Sequence, residues 1–271
     1  MSVSNVNLQR VCPLCASCRE ECFRNTVLGK YEVGYYYCDT CGFLQTEVPF
    51  WLNEAYVEAI ADADTGLVSR NVQLSRKLSS LLYCSFDHQG VYVDSAGGYG
   101  MLVRLMRDIG FDFYWYDEYC QNIFARGFPA NRLECKVTAV TAFEVLEHVQ
   151  DPLQFLVNCL QKNGADTIIF STELFRGRPP NPSDWWYYSF ETGQHISFYQ
   201  LRTLQYLAKK LSLNLYSSGN FHILTERRIN RLFFWLSTGR LARLGSILAK
   251  LGMKSRKFSD HFDLRNSPQA D

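Results

Sequence analysis

Residues 91–225 alternate short apolar runs with amphipathic segments, which is typical of strands that alternate with helices. Runs of β-branched and aromatic residues predict strands at 91–94, 112–117, 137–142, 167–171, 213–217 and 221–225. Apolar residues three and four positions apart predict helices at 99–109, 152–162 and 200–211. Because such an alternation forms a mostly parallel sheet with helices on both faces, the pattern predicts an α/β, Rossmann-like fold.

Two regions depart from a simple alternation of strands and helices. The last two predicted strands are separated only by Ser218 to Asn220. A parallel crossover needs a dozen or more residues, so we expect these strands to form an antiparallel hairpin at the end of the sheet. Before the sheet, Phe50 to Tyr83 has leucines near helical spacing and is predicted to be helical. Tyr56 and Arg70 on this segment could face a ligand, but ordinary surface positions explain them equally well.

The C-terminal region is basic and amphipathic. Residues 227–257 contain no Asp or Glu, and one helical face carries Leu241, Leu244, Ile247, Leu248 and Leu251. Such a face can lie on an anionic membrane surface, or it can pack on the protein's own core or on a second subunit. We favour packing on protein, and we expect residues 259–271 to form a frayed tail.

The first predicted strand leads through a glycine turn into a helix, with the sequence VYVDSAGGYG from Val91 to Gly100. Glycine allows a sharp turn and a close ligand approach, and the helix N-terminus offers free N–H groups. The second strand ends at Asp117, whose carboxylate could accept hydrogen bonds from ribose hydroxyls. Because the turn lacks the G-x-G-x-x-G spacing, a dinucleotide site is the weaker interpretation.

These residues, together with the run FEVLEHVQDP at 143–152, resemble class I S-adenosylmethionine-dependent methyltransferases over residues 86–225. The resemblance implies an S-adenosylmethionine site made by Asp94, Ala96, Gly97, Gly98, Gly100, Asp117, Phe143 and Glu144. Ala96 stands where the family usually has its first glycine, and an alanine is tolerated at this position if its φ stays negative. The histidine of the run, His148, is expected to position the loop after its strand.

Six of the ten cysteines fall before residue 42. Two C-x-x-C pairs, Cys12 with Cys15 and Cys38 with Cys41, flank a predicted β-hairpin, and this spacing predicts a structural Cys₄ Zn²⁺ site in a small zinc-ribbon-like module. One pair alone would favour a redox site. Cys18 and Cys22 could compete as ligands or be free. The scattered cysteines are expected to be small buried residues: Cys84, Cys120, Cys135 and Cys159.

A Pro-rich loop at 176–184 precedes four consecutive aromatic residues, Trp185 to Tyr188, and some of these rings should line an acceptor pocket. The stretch GQHISFY at 193–199 resembles the E/Q-H-x-x-F/Y stretch of sugar-modifying methyltransferases that also carry an N-terminal zinc site. That resemblance implies that His195 is catalytic, as a general base. The alternative is a histidine that caps Ser197 and a helix from Tyr199.

Net charge and the distribution of apolar residues limit the classes of function and the cellular locations that we expect. The net charge of +1 argues against a dominant nucleic-acid surface. No apolar run is long enough to span a bilayer, and Met1 to Arg10 lacks a signal-peptide core. We therefore expect a cytoplasmic protein, with peripheral contact to the inner membrane surface through 227–257 as an option.

The sequence also predicts how the chain divides into domains. We expect a zinc-binding module at 1–49, a helical connector over the cofactor pocket at 50–85, a methyltransferase domain at 86–225 and basic amphipathic helices with a tail at 226–271.

The leading hypothesis is an S-adenosylmethionine-dependent methyltransferase for a small-molecule acceptor, a sugar or sugar nucleotide in glycan or polysaccharide biosynthesis. The alternative is an RNA methyltransferase or a zinc-dependent nucleic-acid-binding protein, against which the acids Glu20, Glu21 and Glu32 of the zinc module stand. A third possibility is a scaffold without activity, for which Ala96 is the one indication.

Overall fold

The computed structural model describes residues 9–56 and 64–266. The strands are β1 (Glu20–Val27), β2 (Tyr31–Tyr37), β3 (Leu44–Thr46), β4 (Val91–Ser95), β5 (Asp112–Tyr116), β6 (Ala139–Ala142), β7 (Thr167–Ser171), β8 (Ser197–Phe198), β9 (Asn214–Ser218) and β10 (Phe221–Thr225). The helices are α1 (Leu52–Ala55), α2 (Leu67–Ser85), α3 (Met101–Ile109), α4 (Pro152–Asn163), α5 (Leu201–Leu211), α6 (Arg231–Thr238), α7 (Ala242–Gly252) and α8 (Lys257–Asn266).

The larger sheet has the strand order β5-β4-β6-β7-β10-β9. β4 pairs in parallel with both β5 and β6, whereas β9 and β10 form an antiparallel hairpin at one end. All residues of β7 and β10 are buried, which explains why their sequences are nearly continuous apolar runs. The predicted Rossmann-like fold with a terminal antiparallel hairpin is therefore confirmed.

Three local predictions need correction. The segment predicted as one helix from Phe50 to Tyr83 contains α1 and α2, and residues 57–63 between them lie outside the described part of the chain. The expected tail from residue 259 is helical as far as Asn266, while 267–271 are not described. Of the four scattered cysteines only Cys159 is buried, since Cys84 and Cys135 are exposed and Cys120 is half-buried.

The described chain divides by its internal contacts into two compact units. Unit 1 comprises Met1–Asp62, Phe143–Asn158 and Phe170–Glu226, and unit 2 comprises Ala63–Ala142, Cys159–Ile169 and Arg227–Asp271, in each case within the described residues. The domain boundaries expected from the sequence stay predictions. No helix in the described ranges is long and apolar enough to cross a membrane.

Unit 1 contains a second, four-stranded sheet with the order β1-β2-β3-β8. β1 and β2 form the predicted hairpin, and β3 joins the two-residue strand β8 through the pairs Leu44–Phe198 and Gln45–Ser197. A cluster of aromatic side chains fills one face of this sheet, with Tyr35 stacked on Phe23 and Tyr188 packed edge-on against Phe198. The aromatic rings at 187 and 188 therefore belong largely to a core.

Unit 2 is built on α2, which packs against α3, α6 and α7. A buried ion pair holds α8 in place: the Arg107 guanidinium lies 2.7 Å and 2.8 Å from the two Asp260 carboxylate oxygens, and both side chains are 3% exposed. Arg107 also contacts Asp112 at 2.7 Å. Although burial raises the pKa of Asp260, the hydrogen bonds and charge of Arg107 hold this pKa below its usual range.

Asp260→Ala should lower the free energy of unfolding by about 3–5 kcal/mol, because it leaves the Arg107 charge buried without this partner. Glu134→Ala removes an exposed carboxylate from the same unit and should change stability by about 0.5 kcal/mol or less. Denaturant titrations measure both. Since the pKa of Asp260 is depressed in the folded state, its stabilisation is present above the unfolded pKa and is lost as the pH falls through the folded pKa. The two variants should therefore converge in acid, and equal stability at neutral pH would contradict the prediction.

Candidate active site

The turn between β4 and α3 lies in unit 2 and is held by backbone hydrogen bonds. Gly97 donates its N–H to the Tyr116 carbonyl at 3.1 Å, and Gly100 donates to the Gly97 carbonyl at 3.0 Å. Ala96 adopts φ 55°, so the condition of a negative φ, under which an alanine is tolerated here, is not met. An L-residue in this left-handed region costs about 1 kcal/mol, which the surrounding turn has to offset.

The glycines of this turn have different roles. A Cβ added at Gly97 would lie 2.9 Å from an Asp94 carboxylate oxygen, and one at Gly100 would lie 2.8 Å from the Asn122 side chain, so both are glycines because of packing. Gly98 has φ 53°, and a Cβ added there would meet no heavy atom of the described residues within 4 Å. The turn therefore has open space on one side of Gly98, where a ligand can approach the backbone.

Asp117 lies at this open turn and organises it. One carboxylate oxygen accepts the Gly98 N–H at 2.9 Å, and the other accepts the N–H groups of Tyr119 and Cys120 at 2.8 Å each. The Trp115 indole N–H donates to the Gly98 carbonyl at 2.8 Å, so both backbone groups of this glycine are fixed. The sequence thus located Asp117 correctly beside the glycine turn but missed its three backbone partners and the contribution of Trp115.

Asp94 lies beneath the turn. It is 3% exposed and accepts a hydrogen bond of 2.5 Å from the Thr141 hydroxyl. Burial raises the pKa of Asp94 to about 7, against the lowering effect of the Thr141 hydrogen bond. Asp94 therefore supports the shape of the turn from below, and the residues at the open space are Gly98 and Asp117.

The remaining predicted cofactor residues, Phe143 and Glu144, belong to unit 1. Glu144 has φ 57°; its N–H donates to the Ser171 hydroxyl at 2.8 Å, and that hydroxyl donates back to the Glu144 carboxylate at 2.5 Å. Phe143 packs against Phe221 with ring centroids 5.5 Å apart. These contacts fix the chain directly after β6 in one conformation, with the Glu144 backbone turned sharply.

His195, the predicted base, is held by the aromatic segment that precedes it. Its Nδ1 lies 2.6 Å from the Tyr187 carbonyl oxygen, and its ring packs edge-on against the Tyr187 ring at 4.7 Å. A carbonyl only accepts hydrogen bonds, so Nδ1 carries the hydrogen and the lone pair of the neutral ring is on Nε2. The capping alternative is wrong, because α5 begins at Leu201 and its first turn is closed by Gln200 and Thr203.

His148 joins this site, although the sequence suggested only a positioning role. Its ring centroid lies 4.8 Å from that of His195, and its Nδ1 contacts the Gln194 carbonyl at 3.1 Å and the Tyr56 hydroxyl at 2.8 Å. Burial, and then the charge of His195, lower the pKa of His148 to about 3. The buried Glu147 lies beside this histidine pair, and the three side chains have ligand atoms within 4.8 Å of one another.

Of the four consecutive aromatic residues, two are buried and the other two line a cavity. Tyr187 and Tyr188 are buried, and Trp186 is 76% exposed. A cavity of about 350 Å³ in unit 1 combines tryptophan rings with carboxylates; its lining includes Asp184, Trp185, Trp186 and Glu191. Of the two connector residues considered above, Tyr56 contacts His148, and Arg70 forms an ion pair of 2.6 Å with Asp64.

The four cysteines of the predicted metal site lie together in unit 1. The sulfurs of Cys12 and Cys41 are 3.6 Å apart, and those of Cys15 and Cys38 are 3.4 Å apart. All four sulfurs fall within 4.8 Å of one another. A tetrahedral Zn²⁺ with bonds of about 2.3 Å requires an edge of about 3.8 Å between sulfurs, so the four-cysteine cluster fits this ion.

The backbone around the four-cysteine cluster has the same form at both pairs. The Cys12 carbonyl accepts the N–H of Ala16 at 2.9 Å, and the Cys38 carbonyl accepts the N–H of Gly42 at 2.8 Å. Ala16 and Gly42 both have positive φ, at 59° and 75°. Each C-x-x-C pair is thus closed by one left-handed residue. Cys18 and Cys22 are exposed and lie outside the cluster, with their sulfurs directed at backbone carbonyls.

The chain is similar in sequence to one protein family and in fold to several solved structures. A family profile described as a methyltransferase domain matches residues 69–218, which is 150 of the 271 residues. No curated protein matches the chain significantly. Among solved structures, the mitomycin 7-O-methyltransferase MmcR is 14% identical, with a TM-score of 0.38 and coverage of 60% of this chain and 57% of that protein.

Two further solved structures are also similar to this chain. TnmH is 15% identical, with a TM-score of 0.43 and coverage of 65% of this chain and 60% of that protein. The magnesium protoporphyrin IX methyltransferase from Synechocystis with bound SAH is 12% identical, with a TM-score of 0.40, and the match covers 65% of this chain and 94% of that one. The chain thus spans less than two thirds of MmcR and TnmH.

The family profile covers more than half of the chain and includes the turn after β4, Asp117 and the histidine pair. The prediction of a class I methyltransferase is therefore confirmed in family and fold, and the chain belongs to the family of proteins with this methyltransferase domain.

Proposed function

We propose that the protein transfers a methyl group from S-adenosylmethionine to a small-molecule acceptor, a sugar or sugar nucleotide used in glycan or polysaccharide assembly. The observation that carries the acceptor part is the segment 185–195. Its Tyr187 carbonyl fixes the orientation of His195, and the adjacent Trp186 presents an exposed ring to a cavity with carboxylates. A flat ring suits the C–H face of a sugar, and carboxylates accept hydrogen bonds from its hydroxyls.

The residues of the glycine turn fit the cofactor that the family uses. The open space at Gly98 admits a ligand close to the backbone, and Asp117 at the end of β5 is placed to accept ribose hydroxyls. When bound, S-adenosylmethionine supplies an electrophilic methyl group on a sulfonium. The chain has to hold the acceptor in line with this group and remove a proton from it.

His195 is the residue that we assign to the proton transfer. The bond from Nδ1 to the Tyr187 carbonyl fixes the ring and leaves Nε2 as the basic atom of the neutral form. His148, with its pKa lowered to about 3, stays neutral at physiological pH and is a weaker base. We therefore assign His148 a positioning role against the His195 ring.

We also propose that the four-cysteine cluster holds one structural Zn²⁺ ion. Four thiolate ligands close the coordination sphere, so the ion would stabilise the fold and take no part in the reaction. The β1–β2 hairpin beside the cluster is too small to bury a core by itself, and metal binding would supply free energy of folding.

The location is also a proposal: the cytoplasm, with contact to the inner membrane surface through residues 227–257. The nucleic-acid alternative would require a basic surface on the zinc module. Glu20, Glu21 and Glu32 are exposed there, which weighs against phosphate binding.

The first prediction concerns the metal. Purified protein should contain one Zn²⁺ per chain, and Cys38→Ser should lose the ion and lower the melting temperature, because one of the four ligands is removed. Cys22→Ser is the matched control, since it changes an exposed cysteine on the same hairpin and should keep the zinc. Elemental analysis by mass spectrometry measures both. Equal zinc content in the two variants would contradict the assignment.

The second prediction concerns the cofactor. Gly98→Ala should weaken S-adenosylmethionine binding by about tenfold or more, because the new methyl group enters the open space of the turn. Gly164→Ala is a matched control: Gly164 has φ 57° and equally open surroundings among the described residues, so it carries the same backbone strain away from the turn. Calorimetric titration should give wild-type affinity for the control. A similar loss in both variants would mean that strain, not the site, sets the affinity.

The third prediction concerns His195. His195→Asn should keep the fold and the cofactor affinity, because the asparagine amide occupies the place of Nδ1 and can still donate to the Tyr187 carbonyl. It removes Nε2, so turnover should fall by about 10²–10⁴. His88→Asn makes the same chemical change at an exposed position and should leave turnover unchanged.

The assay starts with nucleotide-linked sugars, including keto-sugars, as acceptors and follows methyl transfer by mass spectrometry. Wild-type turnover in His195→Asn would exclude the histidine as the base while leaving the methyltransferase intact. Methylation of small RNAs with no methylation of any sugar would replace the proposed acceptor class with the nucleic-acid alternative.

A further inference from the structure

The C-terminal helices pack against the protein with their small residues. In α7 the buried side chains are Ala242, Ser246 and Ala249. The Ser246 hydroxyl contacts the Ser79 hydroxyl of α2 at 3.0 Å, and an added Cβ at Gly245 would collide with Ser80. The close approach of α7 to α2 therefore depends on this face having small side chains, as it does wherever two helix backbones pack tightly.

The large apolar residues of the same helix point away from the protein. The exposed fraction is 58% for Leu244, 55% for Leu248 and 80% for Leu251, which lie three and four positions apart and form one stripe. The large apolar face of α7 is thus exposed and its small-residue face is buried, which is the reverse of what packing on the protein's core would give. The sequence favoured packing of these leucines on the protein's own core or on a second subunit. The first of these is wrong, and the second stays a prediction.

The preceding helix also exposes large apolar residues. In α6, Phe234 is buried, whereas Leu232, Phe233 and Trp235 are 61%, 54% and 62% exposed. We call the exposed apolar residues of these two helices and the turn between them the apolar surface; its members are Leu232, Phe233, Trp235, Leu241, Leu244, Ile247, Leu248 and Leu251. An exposed set of this size is typical of an interaction site rather than of ordinary solvent-exposed residues.

The basic residues around the apolar surface indicate what kind of partner binds to it. Residues 227–257 contain nine Lys and Arg residues and no Asp or Glu. On α7, Arg243 and Lys250 are seven positions apart and form a basic stripe beside the leucines, and both are exposed. A symmetric contact with a second copy would bring these like charges together, whereas an anionic surface neutralises them. Trp235 adds an aromatic ring of the kind that favours the lipid–water interface.

From these observations we propose that the apolar surface docks the protein peripherally on an anionic lipid membrane, with the leucine stripe in the interface and the basic stripe against the headgroups. Docking of this kind needs both apolar burial and anionic headgroups, so it should be reversible and sensitive to salt. The inference makes the proposed membrane contact of residues 227–257 specific. It does not depend on the acceptor, on His195 or on zinc, so its failure would remove that contact and leave the proposed methyl transfer unaffected.

The test is flotation of the full-length protein with vesicles of phosphatidylcholine alone and with vesicles that also contain phosphatidylglycerol. The protein should bind the phosphatidylglycerol vesicles and be released by salt. Leu248→Gln should weaken this binding by about tenfold without changing the melting temperature, because Leu248 is exposed. Leu201→Gln is the matched control: it changes a leucine of 46% exposure on α5 and should bind like the wild type.

Three results would overturn the proposal. The first is no binding to phosphatidylglycerol vesicles, or equal loss in both leucine variants. The second is a dimer in analytical ultracentrifugation that Leu248→Gln converts to a monomer, which would assign the surface to a second copy of the chain. The third is RNA binding at physiological salt that Arg243→Gln abolishes while vesicle binding is unaffected, which would assign the basic stripe to nucleic acid.

Discussion

The pairing of β3 with β8 is the interaction on which unit 1 depends. β8 has only two residues, Ser197 and Phe198, and follows His195 after a single residue. Its partner β3 begins after the two residues that follow the second cysteine pair. Gln45 strengthens the pairing by donating to the Ser197 hydroxyl at 3.2 Å and to the Gln150 carbonyl at 2.7 Å. The hairpin with the four-cysteine cluster therefore positions the segment that carries the candidate base.

This dependence gives a physical reason for the proposed N-terminal metal site in a methyltransferase. A two-residue strand has little stability of its own, because few hydrogen bonds offset the entropy lost when the chain is ordered. Packing of Phe198 among Tyr35, Tyr187 and Tyr188 adds apolar burial. If the ion holds the hairpin, its removal would loosen His195 even though the metal and the histidine share no bond.

The sequence predicted the regular elements of the sheet well. The six strands lie within two residues of their predicted ends, because buried apolar runs bounded by turn residues leave few alternatives. The four cysteines and Asp117 also lie where their spacing indicated. β8 could not be predicted, since its pairing joins residues about 150 positions apart. The contact between His148 and His195 could not be predicted for the same reason. The two histidines are far apart in the sequence, and no local pattern encodes the contacts that bring their segments together.

The C-terminal helices show why an amphipathic pattern alone does not say which face is buried. The leucines of α7 define one apolar stripe, and the sequence rule assigns such a stripe to the core. The opposite face carries Ala242, Gly245, Ser246, Ala249 and Gly252, and these small residues allow a backbone approach to α2 that leucines would prevent. Close packing over a small face gains many dispersion contacts, and those contacts can outweigh the cost of leaving large side chains in water. A helix with both a leucine stripe and a small-residue face therefore has two faces able to pack. With the small face on α2, the leucine face stays exposed in the described part of the chain.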